Sequence, residues 1–405
     1  MTSARTKPAL PRVVLRKNLA RSIRRGHPWI YRDALTAPEG LADGALVFVV
    51  DADRKGLARG FWDARSPIAV RIVATADEAV GADVDAVIDA RLGAALDRRA
   101  AFIDRATTDA FRWIHGEADR LPGIHVDLYR DVAVVRADGA GARAFYRDLP
   151  TRLAAAAAAR GLALRAVVER TPEGEAAVAT LGVLPEAELE VRENGVRFGV
   201  DLARGQKGGL FLDQRDNRAL VGTLAAGRRV LNLFGYTGGF SIYAARGGAS
   251  ETTTVDVAAP AIAAARRNFE RNGLDGPHSS PAHLHAEDAF AFLERAAAAG
   301  TRWDLVLSDP PSFAPSERAL PAALAAYTRL HRLAAAVTAP GGIFCAASCS
   351  SHVGGEAFLE TVAAGTRAAG RSFTLATLRG AAACHPSLPG FHEGDYLKFA
   401  QGRLS

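Results

Sequence analysis

The stretch AASCSSHVGG, Ala346 to Gly355, sets one cysteine, Cys349, between serines just past the apolar run GGIFC. A polar-flanked thiol at what reads as a strand end has three chemical uses: inert packing, metal ligation or nucleophilic attack. The serines favour thiolate, because the ionised sulfur needs polar surroundings. A second chemistry-bearing stretch, LVLSDPPSF, ends another apolar run in Asp309-Pro310-Pro311. Two prolines fix the backbone there and remove two N–H donors. Their carbonyls, with the Asp309 carboxylate, can then face a planar substrate, and Phe313 offers a ring to stack on it. A rigid turn alone accounts for the prolines but not for the acid and aromatic beside them.

A third stretch, VLNLFGYTGGFSIYAA, is a buried strand running into a glycine turn and then a helix. Gly235, Gly238 and Gly239 let the backbone approach a ligand closely, and a helix N-terminus faces it. Such a turn suits dinucleotides, flavins or S-adenosylmethionine, although its spacing is not GxGxxG and so argues against a dinucleotide. TTTVDV then ends a strand with Asp256, about twenty residues on, where a carboxylate can hold a ribose hydroxyl pair. AEDAF puts Asp288 after the next strand, suited to an adenine edge, and Asp309 ends the fourth. Each acid alone reads equally well as a helix N-cap. In register at carboxyl ends of strands, where open α/β sheets bind ligands, they point to a bound nucleoside-type cofactor.

These residues need a frame. From about 195 onward apolar strands alternate with helices, the pattern of a parallel, doubly wound sheet. ELEVRENGVRFGVDL is a hairpin signal centred on Asn194-Gly195. Upstream, RVVL, ALVFVVD, GLARGFWD and IAVRIVA are short β segments that suit a small barrel. A helical stretch, VIDARLGAALDRRAAFIDRAT, follows, and an alanine-rich helix is predicted from about Ala142 to Gly161. Three domains result: a β-barrel over 11–90, a central α+β module over 91–190 and the doubly wound domain over 191–405.

The bulk numbers narrow the partners. At 405 residues, 49% hydrophobic and 23% charged, the chain has an ordinary globular composition. No apolar run is long enough to span a bilayer. The opening MTSARTKPALPR has no apolar core and reads as a short loose tail rather than a secretory signal. Three cysteines make no disulfide framework, which points to a reducing, cytoplasmic setting. The ten histidines do not cluster with them at ligand spacing, which argues against a metal site. A net charge of +6 favours a polyanion partner. The segment PRVVLRKNLARSIRRGHPWIYRD is dense in Arg and Lys against a single acid, Asp33. Trp29 and Tyr31 interleave with that charge. Such a mixture suits nucleic acid, with cations on phosphates and rings on bases, although a solvated basic face is the plainer alternative.

Together these stretches resemble the S-adenosylmethionine-dependent class I RNA methyltransferases. More narrowly, the chain is similar to the PUA-domain family that makes 5-methylcytosine in large-subunit ribosomal RNA. GQKGGLFLDQRDNR, NLFGYTGGFSIYAARGGA, DLVLSDPPSFA and SCSSHV carry the match, with HPSLPGFHEGDYLKFA near the end and LRKNLARSIRRGHPWIY at the PUA-like barrel. Gly208 departs from it, standing where such enzymes often have Thr or Ser. The resemblance implies a Rossmann-like class I methyltransferase domain behind the barrel and the central module. It also implies S-adenosylmethionine contacts from the turn Phe234, Gly235, Tyr236 and Gly238 and from Asp256, Asp288 and Asp309, with support from Phe211, Asp213 and Arg215. Pro310, Pro311 and Phe313 would meet the base.

Cytosine chemistry explains the cysteine. Carbon 5 is a poor nucleophile until a thiolate adds to carbon 6, so Cys349 is expected to be that nucleophile. Cys345, within the apolar strand, reads as core, and Cys384 is open between pocket rim and packing. The base that removes the carbon-5 proton is one of Asp309, Glu393 and His352. The alternatives are N-methylation of guanine or adenine, with Cys349 incidental, and a non-catalytic RNA-binding factor of pre-ribosomes. Ribosomal RNA is the expected partner, no membrane is, and the sequence leaves a homodimer open.

Overall fold

The computed structural model describes residues 10–76, 78, 83–170, 177–186, 188–203 and 209–405. The N-terminal tail before residue 10 and Gly208, with the Gln-Lys pair before it, lie outside the described residues. The chain divides into two compact units. One comprises the described residues of Met1–Ile103, Phe111–Leu184 and Pro386–His392; the other comprises those of Asp104–Ala110, Pro185–His385 and Glu393–Ser405.

In the first unit six strands, β1 (Arg12–Leu15), β2 (Trp29–Tyr31), β3 (Leu35–Thr36), β4 (Leu46–Val50), β5 (Gly56–Trp62) and β6 (Ile68–Thr75), form one sheet in the order β2-β6-β5-β4-β1-β3. All four segments that the alternating pattern picks out are strands in it. The short helix α1 (Ala20–Arg24) lies within the basic segment, and α2 (Val84–Ala100) follows the sheet. A second sheet holds β7 (Ala110–His115), β8 (Ile124–Tyr129), β9 (Val132–Ala137), β10 (Ala166–Glu169) and β11 (Val178–Gly182), in the order β11-β10-β9-β8-β7. The single alanine-rich helix expected over 142–161 is instead two, α3 (Gly139–Phe145) and α4 (Leu149–Ala158). Pro150 in the first turn of α4 explains the break. A proline has no N–H to give to the preceding turn and crowds it, so the helix must restart.

The second unit opens with the hairpin β12 (Leu189–Glu193) and β13 (Val196–Val200). Asn194 and Gly195 both have positive φ, 49° and 76°, as a two-residue turn of this kind requires. Helix α5 (Arg215–Leu224) then leads into alternating strands and helices: β14 (Arg229–Leu233), α6 (Gly239–Arg246), β15 (Glu251–Asp256), α7 (Ala259–Arg271), β16 (Ala282–Ala286), α8 (Ala289–Ala298), β17 (Trp303–Ser308), α9 (Leu320–Val337), β18 (Thr338–Ser348), α10 (Gly355–Ala368), β19 (Phe373–Arg379) and β20 (Lys398–Leu404). The seven strands order as β16-β15-β14-β17-β18-β20-β19. Five are parallel, as the strand–helix alternation predicts; β20 enters antiparallel between β18 and β19. KFAQGRL carries Lys, Gln and Arg on a strand that is almost wholly buried, so its pattern hid it.

Both faces of this sheet are covered, which is what makes its central strands continuously apolar. Phe292, Leu293, Tyr327, Leu330, Phe358 and Val362 of α8, α9 and α10 pack with Leu231, Val306 and Phe344. A separate cluster joins Val221, Phe240 and Ala244 of α5 and α6 to Leu305, Leu307 and Cys345. Among the described residues no helix is long and apolar enough to cross a membrane.

Candidate active site

The strand order reverses at β14, and the chain leaves it through a strained turn. Phe234 and Tyr236 hold positive φ, 57° and 46°, flanking Gly235, and Gly238 at 83° starts α6. Bulky residues adopt that region only when the surroundings over-determine them. Here the surroundings are explicit. Gly235 N–H donates to the Val255 carbonyl at 2.9 Å, and Tyr236 N–H donates to an Asp256 carboxylate oxygen at 2.9 Å. The other Asp256 oxygen accepts from Ala258 N–H, also at 2.9 Å. A Cβ on Gly235 would lie 2.4 Å from the Thr254 methyl, so only glycine fits over the β15 strand. Under the turn Asn232 donates to Ser241 at 3.0 Å, and Ser241 bonds Thr254 at 2.7 Å.

This turn forms one wall of a cavity of about 920 Å³ at the carboxyl ends of the strands. Phe211, Asp213, Phe234, Gly235, Tyr236, Asp256, Asp288, Asp309, Pro310, Pro311 and Cys349 all line it. Arg215, Gly238 and Phe313 are not among its lining residues. Arg215 is buried and donates to Cys384 Sγ at 3.4 Å, and Gly238 caps α6. Phe313 packs its ring 4.8 Å from that of Tyr327, against the core.

Each carboxylate is set by specific neighbours. Asp288 caps α8 by accepting from Ala291 N–H at 2.9 Å while it also lines the cavity, so the capping and the ligand-facing uses coexist. Asp309 accepts from Gln214 Nε2 at 2.9 Å, and Gln214 in turn accepts from Asn217 at 2.7 Å. Asp213 accepts from the Tyr396 hydroxyl at 2.7 Å. Phe211 and Tyr236 meet edge to face at 5.3 Å. Arg218, which also lines the cavity, and Glu193, both buried, form a bidentate pair at 2.8 and 2.6 Å.

The three thiols occupy three environments. Cys345 is completely buried, and burial pushes its thiol far up. Cys384 is buried beside Arg215 and His385. Cys349 is half-buried and borders the same cavity as Asp309, Pro310 and Pro311. A chain of hydroxyls holds it there. Tyr327 OH bonds Ser348 at 2.9 Å and Ser350 at 3.2 Å, and Ser350 bonds Ser312 of the proline loop at 2.8 Å. Burial pushes the Tyr327 phenol up, which keeps it neutral and able to donate. Tyr327, Gln214 and Lys398 are not among the expected site residues, although Gln214 and Lys398 lie within stretches that carry the resemblance; each reaches the site from a distant element.

Of the aromatic residues in the basic segment, Tyr31 is 40% exposed. Trp29 is tied down by a 2.7 Å bond from its indole to Glu117 and an edge-on contact with Phe391.

The donor set suits a nucleoside with a sulfonium arm: a glycine turn with no room for a side chain, a strand-end carboxylate with acceptor capacity left over, and further carboxylates along one wall. A doubly wound sheet with this cavity at its strand ends is a Rossmann-like class I methyltransferase domain that uses S-adenosylmethionine. The family model for S-adenosylmethionine-dependent methyltransferases matches residues 119–375, and a PUA-like domain matches residues 13–75. The chain belongs to the S-adenosylmethionine-dependent methyltransferase family. It is 39% identical to a ribosomal RNA large subunit methyltransferase of Deinococcus radiodurans, covering 96% of each chain. It is 36% identical to ribosomal RNA large subunit methyltransferase I of Shewanella denitrificans, covering 97% of this chain and 99% of that one. The fold matches a solved methyltransferase from Streptococcus mutans with a TM-score of 0.81 at 22% identity, over 97% of this chain and 99% of that one. A methyltransferase structure solved with SAH matches equally well, at the same TM-score of 0.81, identity of 22% and shares of the two chains.

Proposed function

We propose that this chain methylates carbon 5 of a cytosine in large-subunit ribosomal RNA, in the cytoplasm, through a covalent adduct with Cys349. Its relatives in Deinococcus radiodurans and Shewanella denitrificans, named as ribosomal RNA large subunit methyltransferases, support the RNA. The observation that carries the cytosine is the half-buried thiol of Cys349 on the cavity that Asp309, Pro310 and Pro311 also line. N-methylation requires no sulfur there, because a ring or exocyclic nitrogen already has a lone pair to use.

S-adenosylmethionine supplies an electrophilic methyl on its sulfonium when bound. In this reading Asp256 holds the ribose hydroxyls, Asp288 borders the adenine, and the Phe234–Gly238 turn takes the methionine arm, with Phe211 and Asp213 closing that side and Arg215 supporting them from behind. The base is extruded from its stack to reach the pocket. Asp309, oriented by Gln214, accepts from the cytosine amino group, and the carbonyls of Pro310 and Pro311 face the ring. The Cys349 thiolate forms a sulfur–carbon 6 bond and drives an electron pair toward carbon 5, which becomes nucleophilic. After methylation a base takes the carbon-5 proton; the pair left behind restores the double bond and expels the thiolate. The N-terminal sheet with its basic helix grips the RNA backbone.

Replacing Cys349 with Ala tests this. The variant is expected to bind S-adenosylmethionine like the wild type and to transfer no methyl to cytosine. RNA carrying 5-fluorocytosine should trap the wild-type protein covalently, since fluorine cannot leave as a proton, and should not trap Cys349→Ala. Nucleoside mass spectrometry that finds continued methylation by the variant, or a methyl on nitrogen, rejects the cytosine reading.

A further inference from the structure

Beside the proposed nucleophile stands an unusual cation. Lys398, the first residue of β20, pairs in register with Ser348 at the end of β18, and its side chain is only 6% exposed. Lysine is among the residues least often buried, because its ammonium loses hydration that a protein rarely replaces. Its Nζ donates to the carbonyl of Ser350 at 2.7 Å and to that of Tyr396 at 2.8 Å. An ammonium has three N–H donors, and these two carbonyls are its hydrogen-bond partners among the described residues. No carboxylate of the described residues lies within ion-pairing distance of it. Burial lowers Lys398 to about 8, opposed first by the charge of Cys349 and then by that of Asp395.

A buried cation without a paired carboxylate is costly unless an anion forms nearby. The Ser350 carbonyl that anchors Nζ belongs to the residue next to Cys349, so the ammonium is fixed where a thiolate would compensate it. Among the described residues, Lys398 of β20 and Tyr327 of α9 feel the charge of Cys349, and Asp309, in the loop after β17, lines the same cavity. Asp395, in the segment leading into β20, acts on Lys398. Tyr327 is neutral and the aspartates oppose a thiolate, whereas Lys398 is a cation.

We propose that Lys398 is a positioning residue for Cys349: its ammonium, anchored on the Ser350 and Tyr396 carbonyls, holds the sulfur as a thiolate ready to attack. The proposal rests on the reading of Cys349 as the nucleophile. The lysine acts through the sulfur and forms no bond to the base. A purely mechanical role, stapling the end of β20 to the segment after β18, would use the same two carbonyls. It would leave the protonation of the thiol alone.

The test therefore reads the thiol directly, on the full chain, without RNA or S-adenosylmethionine. Alkylation of Cys349 by iodoacetamide is followed by peptide mass spectrometry across pH 5.5 to 9.5, with buried Cys345 and Cys384 as internal references. Lys398→Met is expected to move the midpoint up by about one pH unit and to slow alkylation at pH 7 about tenfold. Lys398→Arg, which keeps the charge, should recover most of that rate. Coincident wild-type and Lys398→Met profiles overturn the proposal, and so does a shift that arginine fails to rescue. Should Lys398→Met not fold, the reciprocal measurement leaves the lysine intact. In Cys349→Ser the Lys398 side-chain carbon resonance should titrate at lower pH than in the wild type, and an unchanged titration overturns the proposal equally. A linked titration with no trapping by 5-fluorocytosine would sink only the cytosine reading; trapping with unlinked titrations would sink only the role of Lys398.

Discussion

Substituting Asp256 with Asn removes one charge and one acceptor from the centre of the glycine turn, and the size of the effect can be worked out. The carboxylate now accepts from Tyr236 N–H and Ala258 N–H, one oxygen each, both at 2.9 Å. The asparagine amide has a single acceptor oxygen, so one of those N–H groups must face its NH₂. Losing a hydrogen bond to a charged acceptor costs about 1.5–3 kcal/mol. The Tyr236 bond is the one at risk, because Tyr236 sits at φ 46° and Phe234 at φ 57°. Each such conformation costs roughly 1–3 kcal/mol and relaxes when its restraint is removed. If about 2 kcal/mol of that is expressed in the cavity, S-adenosylmethionine binds about 10–30-fold more weakly, at about 1.4 kcal/mol per tenfold. Calorimetric titration of S-adenosylmethionine into wild type and Asp256→Asn, with thermal melts of both, measures it. An affinity within about twofold of wild type, alongside a lowered melting temperature, would refute the reasoning. The carboxylate would then serve the turn's stability and not its ligand.

Three further outcomes follow from buried groups. His331 is completely buried among Tyr327, Phe344 and Phe358, and burial holds its imidazole down to about 4 from 6.5. The unfolded chain then takes up a proton near pH 6.5 that the folded one refuses until about pH 4, so folding stability is lost as pH falls through that window. His331→Phe should lose about 2–3 kcal/mol less than wild type between pH 7 and pH 4.5 in urea unfolding, and parallel losses would reject the assignment. Glu193→Gln leaves the Arg218 guanidinium buried without its counter-charge and should cost about 3–5 kcal/mol; a cost under about 1 kcal/mol by the same method would contradict the pairing. Tyr327→Phe removes the hydroxyl that joins Ser348 to Ser350. It is expected to destabilise the fold by about 1–2 kcal/mol and to broaden the pH dependence of Cys349 alkylation, whereas wild-type behaviour in both would show the hydroxyl chain to be idle.

The parts of the site legible in the sequence are those whose chemistry is local. Asn194-Gly195 announces its hairpin because a two-residue turn needs positive φ at both positions. Asp256, Asp288 and Asp309 are legible because each lies at the end of its own strand or within two residues of it, and Cys349 because serines interrupt an apolar run. Phe313 is expected, from its place beside Asp309, to offer a ring to the substrate; in the structure that ring packs 4.8 Å from the ring of Tyr327. Long-range pairings are not legible in any local window, even where the residues lie in stretches that carry the resemblance. Gln214 orients a carboxylate 95 positions away, Tyr396 bonds Asp213 across 183, and Lys398 bonds the Ser350 carbonyl across 48. Nothing in KFAQGRL announces a strand, because its polar residues are satisfied by tertiary neighbours that no local window contains.

That overlooked strand explains why the thiol and the proline loop can share a cavity at all. On β17 the last paired residue, Ser308, lies opposite Ala346 of β18. Were β18 to stop there as well, residue 349 would already be three positions into a loop free to turn either way. Instead β20 continues pairing on the other side as far as Ser348, carrying β18 two residues, about 7 Å, beyond its parallel neighbour. Cys349 therefore emerges from a strand rather than a loop, and Tyr327 and Ser312 fix the serines that flank it. The residue that β20 contributes at the last rung of this extension is Lys398. One antiparallel strand thus sets both the reach of the sulfur and the charge beside it. Shortening that pairing, for example with Phe399→Pro, which sets a residue without an N–H at the penultimate rung, should cost cytosine methylation and the low-pH reactivity of Cys349 together; loss of one without the other would separate the two roles.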